Sequence, residues 1–266
     1  MSVHSEQSEA VTTVILERPN ARNAVDPETA EALVAAFEAF NRDPNARVGV
    51  FFGSHGTFCA GWDLKYGASL AGKNIREELA LDFPDGSAAP PRGPMGASRL
   101  ELDKPVIAAV AGAAVAGGLE LALWCDLRVM EEDAYFGVYC RRWGVPLVDG
   151  GTVRLPRIVG MGRALDLILT GRKVTAQEAY RIGLAERIVP RGQARVEAEK
   201  IAHEIARFPQ GAVRCDRRSA YETHGLSVRE ALGREWSNGV PVMEEAVRGA
   251  GAFASGKGRH GDFRDI

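Results

Sequence analysis

The sequence predicts an α/β fold in which strands and helices alternate through the first two-thirds and helices alone follow. Three observations carry this: short apolar runs of strand length bounded by glycine or turn residues, amphipathic helical stretches between them, and mostly helical spacing in the last third. Residues 11–17 (VTTVILE) form the first apolar alternation, stopped by the turn signal Arg18-Pro19-Asn20. A helix follows, with Asp26 as N-cap and Pro27 at its first position. Ala30, Leu33, Val34, Phe37 and Phe40 recur down one face. The apolar run 47–53 reads as a strand and leads into the loop SHGTFCAGWDLK, completing a β-α-β start.

Residues 66–98 are the least regular part of the chain, and the prolines between 82 and 94 forbid a continuous helix or central strand. A mobile loop is expected there. Regularity resumes with a buried strand over 104–110, a glycine turn, a helix through about Trp124, a strand over 127–131 and a short one near 135–138. The stretch RRWGVPLVDGG is again irregular. From 152 onward the pattern is mostly helical, with a capping box at Thr175-Ala-Gln-Glu178 and an extended piece ending at Val189-Pro190. Helices are predicted over 192–207, 209–223 and 227–248, separated by Pro209 and Gly225. The organisation read from this is a polar, disordered start over 1–10, a core over 11–195 and a helical region over 196–266. No repeat of solenoid length is present.

Composition narrows the function. The 266 residues are 45% hydrophobic with formal net charge −2, and beyond Arg141-Arg142 and Arg217-Arg218 no basic run stands out, so a nucleic-acid partner is not implied. Cys59, Cys125, Cys140 and Cys215 show neither zinc-ligand spacing nor a disulfide framework. Reduced thiols, a polar N-terminus and the lack of a long apolar stretch lead to the expectation of a cytoplasmic protein without membrane or metal.

Two glycine-containing loops, FCAGWDLK and GAAVAGGLE, each follow a buried strand and open a helix. Neither is a Walker A or a G-x-G-x-x-G loop. A lone glycine pair is also what tight helix-on-sheet packing needs. Taken together, however, two such turns can aim paired backbone N–H groups at the oxygen of a carbonyl that gains charge during reaction. Glu120, in the first turn of the helix opened by the second loop, is either a capping acid favoured by the helix dipole or a group that moves protons.

With those residues in view, the chain resembles the crotonase, or enoyl-CoA hydratase/isomerase, superfamily. The resemblance rests on five motifs in the family's order, from about residue 10 onward: RPNARNA at 18–24, FCAGWDLK at 58–65, KPVIAAVAG at 104–112, GGLELALWCD at 117–126, and LTGRKVTAQEA at 169–179 followed by Gly183-Leu184. It implies a crotonase-like spiral of ββα units with a helical C-terminal trimerisation region, giving a homotrimer or dimer of trimers. It implies acyl-CoA substrates, with coenzyme A arriving as part of the substrate and no prosthetic group. The N–H groups of Trp62 and Gly117 would form the oxyanion hole, and Glu120 matches the family's first catalytic carboxylate. Arg22, Ala60, Asp63, Leu64 and Lys65, with Lys257 or Arg259 from the C-terminal tail, would meet the coenzyme. Lys257 also reads as one solvated charge in a glycine-rich tail.

The chain departs from the family's hydratases where they carry a second glutamate. Here that place holds Cys140, counted among the substrate-binding residues and read as a small apolar filler rather than a nucleophile. A thiol of ordinary pKa about 8.5 is a poor substitute for a carboxylate. Asp149 would compensate, since the superfamily's isomerases and thioester hydrolases place an acid in or next to this loop position, or it is an Asp-Gly turn former. Arg141, Arg142 and Trp143 either narrow the acyl pocket or lie on the surface. Hydration, double-bond isomerisation, thioester hydrolysis and acyl-CoA binding without turnover all stay open at this point.

Overall fold

A computed structural model describes residues 2–79, 82–83, 86 and 90–258. The chain runs β1 (Val3–Ser8), β2 (Val11–Leu16), α1 (Pro27–Arg42), β3 (Val48–Gly53), α2 (Leu64–Ser69), α3 (Ile75–Glu78), β4 (Val106–Val110), β5 (Ala113–Val115), α4 (Gly117–Trp124), β6 (Leu127–Glu131), β7 (Tyr135–Gly137), α5 (Gly151–Val159), α6 (Met161–Thr170), β8 (Lys173–Thr175), α7 (Ala176–Arg181), β9 (Arg187–Val189), α8 (Ala194–Arg207), α9 (Gln210–Glu222), α10 (Val228–Gly239) and α11 (Met243–Ala254). Among the described residues no helix is long and apolar enough to cross a membrane.

A six-stranded sheet in the order β1-β2-β3-β4-β6-β9 and a three-stranded sheet in the order β5-β7-β8 form the frame. The larger is parallel except for β1, which pairs antiparallel with β2. Its central strands are covered on both faces, and this is why they read as continuous apolar runs. Alternate residues divide between the covers. Val50, Ile107 and Val129 face α8, whose alanines 194, 198, 202 and 206 recur every fourth residue and let the helix lie close. Phe51, Ala108 and Met130 face the main core with Phe37 of α1 and Trp124 of α4, and the Phe37 ring stands edge-on to both aromatics at 5.3 and 4.8 Å. Asp26 caps α1 by accepting from the Thr29 N–H at 3.0 Å, and at the other end the buried Lys104 ammonium donates to the carbonyls of Phe40, at 2.8 Å, and Asp43.

Four expectations need correction. Residues 3–8, within the stretch expected to be disordered, form β1 and pair with β2 along its whole length, and only Val3 and His4 turn away from solvent, since an edge strand needs no buried face. The boundary at 195/196 falls inside α8, which covers the large sheet and so belongs to the core. The predicted helix over 227–248 is two helices, interrupted at Val240–Val242, where Pro241 removes an amide donor. Thr175 does cap α7, but the Glu178 carboxylate turns to Arg172, and the reciprocal box belongs to Ser227 and Glu230.

Candidate active site

The two glycine loops are stitched together by backbone. Cys59 N–H donates to Ala113 O and Val115 N–H to Cys59 O, each at 3.0 Å, so FCAG runs beside β5. Ala60 N–H donates to Arg22 O at 3.1 Å, Val25 N–H to Gly61 O and Asp63 N–H to Val25 O, both at 2.8 Å. Trp62 lies between two bonded residues, and its own N–H therefore faces the other way. Its ring is turned aside onto Tyr66 and Gly67 of α2, leaving the amide as the group presented.

Across from it, α4 opens at Gly117, whose N–H is one of the orphan donors of a helix's first turn. A Cβ on Gly61 would stand 3.0 Å from Gly117 N, and one on Gly118 would meet Cys59 O at 2.1 Å, so the loops touch only because these residues are glycines. Among the described residues neither the Trp62 nor the Gly117 N–H has a protein acceptor. Ala116, just before α4, sits at φ 53°, ψ −124°, a conformation that favours glycine. It is held there by its N–H on Gly137 O at 2.8 Å. Strain of this kind costs about 1–3 kcal/mol and here sets the direction in which Gly117 points.

Arg18 binds the neighbouring turns into one unit. Its guanidinium donates to Asp63 Oδ2 at 2.7 Å and Ala24 O at 2.8 Å, and pairs with Asp26 at 2.6 Å. Asp63 in turn caps α2 through the N–H groups of Lys65 and Tyr66. Burial pushes its carboxyl up, but the Arg18 and backbone donors outweigh that and hold it below the usual range.

Two acids complete the site. Glu120 is 2% exposed, and its Oε1 accepts from Asp149 N–H at 2.9 Å and Gly151 N–H at 2.8 Å. Asp149 is 3% exposed, and its Oδ1 accepts from Met95 N–H at 3.1 Å and from the Ser98 hydroxyl. Among the described residues the other oxygen of each has no donor, yet neither is sealed from solvent-accessible space. Burial and then the Asp149 charge push Glu120 up to about 8, against the pull of the two amides. Burial also raises Asp149, opposed by Ser98, Met95 N–H and the charges of Arg99 and Arg154. Arg154 of α5 sits behind the pair, donating to Asp149 O at 3.0 Å and Ser98 O at 2.8 Å. Cys140 adjoins the site: burial and then the Glu120 charge push its thiol up, so it stays protonated.

The structure thus brings Trp62, Gly117, Glu120, Asp149 and Cys140 together, with Ala60 half-buried behind them and Arg22, Leu64 and Lys65 exposed on the same loops. The Asp63 carboxylate is instead committed to Arg18 and the α2 cap. Lys257 is exposed beyond α11, and among the described residues the hydrogen bond it makes is its N–H on Ala252 O at 3.1 Å. Arg259 lies outside the described residues. Arg142 stacks over the Tyr139 ring at 3.8 Å and Trp143 is 70% exposed, so this pair takes the surface alternative.

Sequence reasoning missed Met95, Ser98 and Arg154. Met95 and Ser98 lie in a segment read as mobile, whereas Met95, Ala97 and Ser98 are wholly buried. The signal available was the apolar Met95 between two glycines in GPMGAS.

Comparison with known proteins bears on this geometry. A profile of the enoyl-CoA hydratase/isomerase family matches residues 6–231. The enoyl-CoA hydratase EchA19 of Mycobacterium tuberculosis is 37% identical over 243 residues, covering 91% of this chain and 89% of its own. The carnitinyl-CoA dehydratase of Proteus mirabilis is 35% identical over 261 residues, 95% of either chain. Among solved structures, an enoyl-CoA hydratase from Mycobacterium tuberculosis superposes with TM-score 0.84 at 33% identity, covering 96% of both chains. One from Geobacillus kaustophilus gives 0.85 at 31%, covering 96% of this chain and 95% of that one.

Proposed function

The chain belongs to the enoyl-CoA hydratase/isomerase family, and from that premise we propose that it is an enzyme acting on an acyl-CoA thioester through an enolate, with Glu120 and Asp149 as its acid–base pair. One observation carries the proposal: two buried carboxylates, each with one oxygen fixed by backbone, stand beside two amides, and among the described residues the carboxylates' other oxygens and both amides have no partner. The thioester oxygen accepts from the Trp62 and Gly117 N–H groups, and each such donor lowers the enolate barrier by about 3–4 kcal/mol. Glu120 exchanges the proton at the substrate carbon, and a carboxyl raised to about 8 suits transfer in either direction near neutral pH. Asp149 supplies the second proton site, because the protonated Cys140 thiol is no base. Addition or elimination of water is the reaction that the relatives' names support.

Double-bond isomerisation is the second reading. It is favoured by Cys140, since moving a proton along the acyl chain needs no carboxylate to hold a water. Arg22, Ala60, Leu64 and Lys65 line the coenzyme's approach, and Lys257 supplies a phosphate contact. The stripe Val228, Leu232, Trp236 and Val240, exposed on and just after α10, supports assembly into a trimer. The proposed location is the cytoplasm.

A panel of acyl-CoAs read by mass spectrometry tests the proposal. An enoyl-CoA that gains one water identifies hydration, a shifted double bond at unchanged mass identifies isomerisation, and free coenzyme A identifies hydrolysis by way of Asp149. On the responsive substrate, Asp149→Asn loses about 100-fold in turnover and Cys140→Ala stays near wild type. The reverse pattern refutes the assignment of the pair. Tight acyl-CoA binding with no product from any member identifies a binding protein instead.

A further inference from the structure

The turn over 93–96 is seated on three sides. Gly96 N–H donates to Gly93 O at 2.8 Å, a Cβ on Gly93 would fall 2.1 Å from Asp149 Oδ1, and one on Gly96, at φ +68°, would fall 2.3 Å from Ala30 O of α1. A turn with so little room cannot slide. It places Met95 between the two functional groups that flank it. The Met95 N–H holds Asp149, and its side chain lies along Gly117: a Cβ on that glycine would stand 2.5 Å from Met95 Sδ, 2.8 Å from Cγ and 3.0 Å from Cε. Met95 is 0% exposed. The unbranched thioether fills the space beside the residue whose amide the thioester oxygen would use.

From this placement we propose that Met95 is the specificity-determining residue of the acyl pocket, closing it beside the thioester so that the site takes short acyl chains. The inference rests on the reading of the Trp62 and Gly117 amides as the thioester site. On that reading, a chain whose carbonyl oxygen sits on Gly117 leaves towards Glu120 and Asp149 beside the Met95 side chain, which fills the space there. Methionine suits such a wall, since its three rotatable bonds fit an irregular gap and yield only part of it.

The test uses saturated acyl-CoAs, which have no double bond to hydrate or shift, with the full-length protein and titration calorimetry, the thioester checked intact by mass spectrometry after each titration. Wild type binds butyryl-CoA at least about 10-fold more tightly than octanoyl-CoA. Met95→Ala reduces or inverts that ratio by at least about 10-fold, the scale on which one or two methylenes discriminate in an apolar pocket. Met95→Val gives the same shift to a smaller degree and keeps the readout available if the alanine variant fails to fold by circular dichroism. Met95→Phe moves the preference the other way. A wild-type protein indifferent to chain length, or folded Ala and Val variants whose ratio stays within about twofold of wild type, overturns the assignment. The two proposals fail separately: a length shift without product from any enoyl-CoA sinks the enolate chemistry alone, and product formation with an unchanged length preference sinks Met95 alone.

Discussion

Glu120→Gln separates the two things Glu120 does. The Gln carbonyl keeps the hydrogen bonds from Asp149 and Gly151 N–H, so the loop at 149–151 stays in place, but the side chain no longer ionises. In the unfolded chain the carboxyl titrates at 4.5 and in the fold at about 8. Between those values the unfolded state gives up a proton that the folded state keeps, so this carboxyl's contribution to stability is greatest below pH 4.5 and is lost as pH rises towards 8. At about 1.4 kcal/mol per pH unit the ceiling on that loss is about 5 kcal/mol. Urea unfolding at pH 5 and pH 8.5 reads it directly: wild type loses at least about 2 kcal/mol more across the interval than the Gln variant. The same substitution lowers turnover by about 100-fold to 10,000-fold. Parallel stability curves would refute the buried, proton-holding carboxyl, and undiminished turnover would refute its role in proton transfer.

Two further outcomes follow from the backbone. Ala116→Gly removes the penalty of a side chain at φ 53°, raising stability by about 1 kcal/mol in denaturant titration. Its turnover falls several-fold, because the methyl that abuts Gly61 no longer braces the Gly117 amide. Lys104→Met leaves the Phe40 and Asp43 carbonyls without their buried cation, costing about 2–3 kcal/mol in thermal unfolding. Acyl-CoA turnover below the new melting point is unchanged, since Lys104 sits at the far end of α1 from the Arg18 turn.

The alternation of strands and helices, the two glycine turns and Glu120 were legible because each writes a local pattern: buried parallel strands are apolar throughout, and a turn whose backbone meets another backbone must be glycine. What stayed hidden depends on neighbours distant in sequence. Strand β1 lies at an edge, so its exposed residues carry no apolar alternation. Strand β5 has only three residues inside a glycine-rich run. The turn over 93–96 has the composition of a mobile loop, and only its fit against Ala30, Gly117 and Asp149 makes it rigid. Arg154 looked like one more charge on a helix, because its partners are carbonyls contributed by two separate loops.

The polar geometry of the site is set largely by main-chain amides: those of Trp62 and Gly117 have no acceptor among the described residues, those of Asp149 and Gly151 hold Glu120, and that of Met95 holds Asp149 together with the Ser98 hydroxyl. Main-chain groups persist when side chains are exchanged. On the proposed reading such a scaffold is evolvable, since changes at positions 95, 140 and 149 would alter the size of the acyl group and the identity of the proton carrier while the main-chain amides stay in place. Combinatorial libraries confined to those three positions would therefore sample different reactions from one folded protein.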